Sequence, residues 1–209
     1  PDTYTTTEDV SLNTTATIDD VLLNDSDVDG DSLTVNTTPV REPRYGALTL
    51  NADGSFTYVP DPDFNGVDRF DYEAADGNGG FAVGQVTINV NPQQDPPAAL
   101  GETFTTQEDV VLSVDNPQGL LANDLDVDGD ALVVVTSPVV PPSNGMVTLN
   151  ADGSFLYTPD PDFNGIDTFD YQVFDGTANT TATATVNVTA VNDQVQAIGA
   201  SSHGRSLQF

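Results

Sequence analysis

Two stretches of this chain have the residue types and spacing to hold a cation. NDSDVDGDSL, Asn24 to Leu33, sets Asp25, Asp27, Asp29 and Asp31 on alternate residues, and it returns as NDLDVDGDAL, Asn123 to Leu132, with Asp124, Asp126, Asp128 and Asp130. So many like charges in one short loop repel unless a cation sits among them. Hard oxygen ligands on a flexible loop suit Ca²⁺, which takes 6–8 oxygens, better than Mg²⁺ with its strict octahedron. The phrase D-x-D-x-D-G also opens the EF-hand loop, where the glycine permits a sharp turn around the ion. The likeness ends there, because the expected bidentate Glu at loop position twelve is Asn36 in one copy and Val135 in the other. Ligands must therefore come from elsewhere in the chain. The plainer reading is a solvated Asp/Gly turn, but two such turns at matching places in a repeat favour a metal site.

Other chemistry is thinly represented. There is no cysteine, and the one histidine, His203, lies in the terminal stretch ASSHGRSLQF. The paired carboxylates Asp61/Asp63 and Asp160/Asp162 have the residue types of a glycosidase site, yet their recurrence in both copies fits structural turns, and no enzyme is expected. The chain carries 33 acidic residues against four arginines (Arg41, Arg44, Arg69, Arg205) and no lysine, for a formal charge of −29. Phosphate binding depends on Lys and Arg releasing counterions, so nucleic acid is excluded as a partner and anionic lipid would be repelled. No apolar run approaches the roughly 18 residues of a membrane span, so no direct membrane insertion is expected. The N-terminus lacks a signal peptide's basic and apolar regions. Pro1-Asp2 aligns with Gly101-Glu102, which reads as a cut at a repeat boundary in a longer protein. Without disulfides, bound calcium is the available staple for an exported fold.

The elements that must position these acids follow from comparing the chain with itself. TTTEDVSL (Thr5 to Leu12) returns as TTQEDVVL (Thr105 to Leu112), and LNADGSFTYVPDPDFNGVDRFDY (Leu50 to Tyr72) as LNADGSFLYTPDPDFNGIDTFDY (Leu149 to Tyr171). Two domains follow, 1–94 and 95–193, with a tail, 194–209, that either starts a further repeat or is disordered. Short alternating runs between turn residues indicate strands. Leu48/Leu50, Phe56/Tyr58, Phe70/Tyr72/Ala74 and Val86/Ile88/Val90 form inward rows in the first copy. Val147/Leu149, Phe155/Tyr157, Phe169/Tyr171/Val173 and Ala184/Val186/Val188 form them in the second. Asn51-Ala52-Asp53-Gly54 reads as a hairpin turn. About seven strands in roughly 100 residues predict an immunoglobulin-like sandwich. IDDVLLN and QGLLAN do not read as strand; their pairs Leu22/Leu23 and Leu120/Leu121 are expected to plug one end of each sandwich. PDPDFNG is a crossing loop anchored by Phe64 or Phe163.

Over nearly the whole chain, the order E-D, N-D-x-D-x-D-G-D, N-x-D-G-S-F-x-Y-x-P, F-x-G-x-D-x-F-x-Y, D-G and a closing N-D resembles bacterial cadherin-like tandem repeats. These occur in large RTX-type adhesins and other exported surface proteins. The resemblance implies an all-β fold of two tandem cadherin/immunoglobulin-like Greek-key β-sandwiches joined by a short calcium-stabilised linker. By the same resemblance, the early acids are Glu8 and Asp9 with Glu108 and Asp109. Asp76 and Asp175 match the acidic position before the last strand, and Asp95 and Asn192-Asp193 match the linker. The first linker departs from the pattern, with Gln94 where the second copy has Asn192. A proline-bearing linker is already semi-rigid, and ions shared across it would fix the remaining angle.

The expected function is a calcium-rigidified extender of a bacterial surface or secreted adhesin, working in cell adhesion, with neighbouring repeats of the same chain as its partners. The alternatives are direct homophilic adhesion and a carbohydrate-binding module of a polysaccharide-active protein. Millimolar extracellular calcium would saturate even weak sites. A sugar platform needs exposed aromatics, and with no Trp the candidates reduce to Tyr4 and Tyr45, since the other repeat tyrosines fall on core-facing rows.

Overall fold

A computed structural model describes residues 1–192, so Asp193 and the tail lie outside the described residues. All regular structure in them is β, and the chain divides into unit 1, Pro1–Gln94, and unit 2, beginning at Asp95.

Unit 1 contains β1 (Asp2–Thr7), β2 (Leu12–Asn13), β3 (Thr34–Val35), β4 (Gly46–Leu50), β5 (Phe56–Pro60), β6 (Gly66–Ala75) and β7 (Phe81–Asn91). One sheet runs β1-β7-β6-β3 and the facing one β2-β5-β4. β1 lies parallel to β7, from Asp2↔Val86 to Thr7↔Asn91, and the other pairings are antiparallel. Unit 2 repeats this with β8 (Thr103–Gln107), β9 (Leu112–Val114), β10 (Val133–Val134), β11 (Gly145–Leu149), β12 (Phe155–Pro159), β13 (Gly165–Phe174) and β14 (Asn179–Thr189), in sheets β8-β14-β13-β10 and β9-β12-β11.

The alternating rows become the core because successive side chains on a strand point to opposite faces. Phe56, Tyr58, Phe70, Tyr72, Val86, Ile88 and Val90 are buried in unit 1, as are Phe155, Tyr157, Phe169, Tyr171, Ala184, Val186 and Val188 in unit 2. Each large apolar side chain contributes about 1.5–3 kcal/mol on burial. Phe56 meets Tyr4 and Phe70 edge-on at 5.0 and 5.2 Å, and Phe155 meets Phe104 and Phe169 at 4.8 and 5.6 Å.

One expectation is corrected. Leu23 does not plug its sandwich but is 61% exposed; Val21 is fully buried, and Leu22 packs beside it. The Val21 amide is tied to the Gly54 carbonyl at 3.0 Å, as Leu120 is to Gly153 at 2.8 Å. That bond makes Val21, not Leu22, the counterpart of Leu120.

Beneath the crossing loop each sandwich buries a carboxylate. Asp68 is only 3% exposed and accepts backbone N–H groups from Arg44, Tyr45 and Arg69 at 2.8–2.9 Å and the Tyr58 hydroxyl at 3.0 Å. Asp167 does the same with Ser143, Asn144, Thr168 and Tyr157. Four donors offset the desolvation of a buried charge, so both acids are structural.

Candidate metal centre

Two ends of each sandwich carry the acids. At one end β1 or β8 runs out into the E-D pair, where Asp9 and Asp109 hold positive φ (58° and 61°), as do Asp63 and Asp162 of the crossing loop (58° and 60°). Asp63 donates its N–H to Asp9 at 3.3 Å, and Asp162 donates to Asp109 at 3.2 Å. Glu8 and Glu108 are buried. Glu8 accepts from the Asn65 amide group at 3.1 Å and from the Gln93 backbone, and Glu108 from Asn164 at 3.0 Å and from Val191 at 2.5 Å. These glutamates therefore clasp the crossing loop to the end of the last strand. Their asparagine partners, Asn65 and Asn164, went unassigned in the sequence. The F-N-G phrase held the signal, since an Asn there recurs in both copies. Asn192 is exposed and follows this clasp.

At the opposite end stand the acidic loops. In unit 2, carboxylate oxygens of Asp126, Asp128 and Asp130 all lie within 4.8 Å of one another. Asp126 accepts the Asp130 N–H at 3.1 Å, and Asp128 accepts the Asp95 N–H at 2.8 Å. Buried oxygens of Asp124, Asp126, Asp175 and Glu102 have no hydrogen-bond partner. Asp124 and Asp175 are more than nine-tenths buried as whole residues. An orphaned buried carboxylate oxygen is costly, and a cation is the ligand that relieves it. Burial, with the Asp124 charge adding, pushes Glu102 up to about 7, and Asp124 is raised by burial too. Backbone N–H groups of Ala178 and Thr177 hold Asp175 below the usual carboxylate range. The donor set is all oxygen, as Ca²⁺ demands.

The loop of unit 1 is arranged differently. Asp27 accepts the N–H groups of Asp29 and Asp31 at 2.8 and 3.2 Å, and Asp31 accepts from Asn78 at 2.8 Å. Asp76 accepts from Asn78 and Gly80, and these bonds hold its carboxyl low. The Tyr72 hydroxyl lies 2.7 Å from Asp25 and 3.3 Å from Asp2. Asp2 and Glu102 were not singled out in the sequence as site residues; from the core, Tyr72 reaches both Asp2 and the loop acid Asp25, and Tyr171 reaches Glu102 at 2.7 Å.

The two candidate sugar platforms are used elsewhere. Tyr4 packs on Phe56 in the core. Tyr45 stacks on Phe64 at 4.5 Å, and the Arg44 guanidinium covers its ring at 5.1 Å.

Successive seven-stranded sandwiches, each with acids at both ends, define a tandem β-repeat protein of cadherin type. The family model for the bacterial cadherin-like domain matches residues 1–92 and again 94–192, and the chain belongs to that family. A search of curated protein sequences finds no match. Among solved structures, the chain is similar to human protocadherin-24 repeats EC1-2 (12% identity, 91% of this chain and 95% of that one, TM-score 0.51). It also resembles human CDH23 EC21-23 (13%, 90% and 67%, 0.48) and the endo-fucoidan hydrolase MfFcnA4 of glycoside hydrolase family 107 (20%, 92% and 28%, 0.37). The chain thus spans under a third of the hydrolase chain. No helix among the described residues is long and apolar enough to cross a membrane.

Proposed function

We propose that this chain is a calcium-binding repeat module of an extracellular bacterial protein, serving as an extender in adhesion, and that its acidic loops take up Ca²⁺. The observation that carries this reading is the convergence of Asp126, Asp128 and Asp130 within 4.8 Å, in a unit that also holds orphaned buried oxygens on Asp124 and Asp175. Calcium would supply positive charge to carboxylates that otherwise repel. The linker residues Asp95, Asn192 and Asp193 and the clasps at Glu8/Asp9 and Glu108/Asp109 belong to the proposal as further oxygen donors. Family membership supports it, as does the surplus of acids, which an external millimolar cation pool would neutralise.

Calorimetry on chelated protein tests it. Calcium should bind with heat, and changing Asp126, Asp128 and Asp130 together to Asn should remove at least one ion from the stoichiometry. An unchanged stoichiometry overturns the ligand assignment; no binding at millimolar calcium overturns the function.

A further inference from the structure

Three basic side chains occur among the described residues, Arg41, Arg44 and Arg69, and all belong to unit 1. The fold gathers them. Arg44 and Arg69 donate their backbone N–H groups to the same oxygen, Oδ1 of Asp68, at 2.9 and 2.8 Å. Arg41 lies across from Asp71, whose N–H reaches the Arg41 carbonyl at 3.0 Å, and Asp71 shares a strand face with Arg69 because residues two apart on a strand point the same way. All three arginines are exposed, and their charges are little used. Arg41 and Asp71, at 3.2 Å, form the one ion pair among the described residues, and an exposed pair contributes little. The Arg44 guanidinium covers the Tyr45 ring at 5.1 Å, a contact of its flat side that leaves the N–H fork at its edge. Arg69 enters no ion pair among the described residues.

Unit 2 keeps the scaffold without the charge. Val140 bridges to Asp170 as Arg41 does to Asp71, and Ser143 and Thr168 donate to Asp167 as Arg44 and Arg69 do to Asp68. Asp170 is satisfied there by the Thr183 hydroxyl at 2.6 Å. The sandwich therefore folds with neutral residues at all three places, and the arginines of unit 1 answer to something other than packing.

We infer that this arginine patch docks an acidic polysaccharide, a linear chain of uronate sugars. Arginine's planar fork takes a carboxylate through two parallel hydrogen bonds. Beside Arg69, the outer face of β7 offers neutral hydrogen-bonding groups: Thr87 stands in register with Arg69, and Asn89 follows on the same face. A sugar polymer brings a partner for each, an anion for the arginines and hydroxyls for this neutral strip. Acids rim the patch, with Glu42 next to Arg41 and Glu73 two residues beyond Asp71. A narrow polymer can lie between them, whereas a broad acidic protein, a second copy of this chain included, would press acid against acid. Salt screens charges farther away than about 8 Å, so the patch, and not the formal charge of −29, decides local binding. The inference is independent of the calcium reading, because it uses cations and no acidic loop.

A galacturonate hexasaccharide is titrated into the full chain with calcium present, followed by calorimetry and by NMR amide shifts, beside maltohexaose and a hexaglutamate peptide. The variant carries Arg41→Val, Arg44→Ser and Arg69→Thr together, which gives unit 1 the residues that unit 2 bears at these places, so the fold tolerates them. The uronate should bind, shift the amides of Arg69 and Thr87, and bind the variant about tenfold or more weakly; maltohexaose should not bind. Equal affinity for the variant or for maltohexaose overturns the inference, as do shifts confined to the acidic loops, where calcium alone would bridge protein to sugar. Hexaglutamate binding as tightly as the uronate overturns the polysaccharide in favour of an acidic peptide, and no binding of the uronate at millimolar concentration overturns the site.

Discussion

Glu102 shows how the site couples charge to folding. Its carboxyl is pushed up to about 7 by burial, with Asp124 adding repulsion, although the Tyr171 hydroxyl donates to it at 2.7 Å. A carboxyl raised in the fold above its ordinary 4.5 binds more protons folded than unfolded through that interval. The stability it contributes is present below about pH 4.5 and is lost as pH climbs through about 7. Chelated protein should therefore show unit 2 melting at lower temperature at pH 7.5 than at pH 5. Part of that fall is general repulsion among the acids, so the decisive comparison is Glu102→Gln, which should flatten the slope. An unchanged slope in differential scanning calorimetry would show that Glu102 titrates as in free solution. On the proposed calcium-binding reading, affinity measured by calorimetry should rise with pH, because proton and ion would compete for the carboxylates.

At the scale of the element, β4 depends on glycine for its approach to β5. A Cβ on Gly46 would fall 2.5 Å from the Val59 carbonyl and 2.6 Å from the Tyr58 ring, and one on Gly145 would fall 2.5 Å from the Thr158 carbonyl and 2.9 Å from the Tyr157 ring. The closeness lets Tyr58 reach Asp68 with its hydroxyl. Gly46→Val should therefore destabilise unit 1 by about 1–3 kcal/mol, the usual scale of overpacking, while unit 2 melts as before; urea unfolding with probes on each unit reads the difference. The rows Phe56/Tyr58 and Val86/Ile88/Val90 were legible in the sequence because strand periodicity and burial coincide there. The Val21 plug was not, since in a turn no period separates Val21 from Leu22 or Leu23. The acidic loops were legible as candidates by spacing alone. That the three-carboxylate group forms in unit 2, while Asp31 of unit 1 turns to Asn78, depends on contacts across the loop. Glu8 and Glu108 read as ligands because an early Glu is a family feature, but the asparagine clasp that buries them is a pairing about 56 residues apart, beyond any local pattern.

For the molecule as a whole, a formal charge of −29 opposes compactness, and salt at physiological strength screens only beyond about 8 Å. Each repeat nonetheless keeps its own cluster of buried apolar side chains. One feature of each repeat bears on load. The first strand lies beside the last and points the same way, Asp2↔Val86 to Thr7↔Asn91 in β1 and β7 and Thr103↔Thr185 to Thr189↔Gln107 in β8 and β14. Tension applied to the two termini of a repeat slides these strands past each other, so the ladder must shear as a block instead of unzipping bond by bond. In single-molecule pulling, each repeat should hold and then rupture in one abrupt step, and a low, gradual plateau of extension would show that the ladder bears no tension.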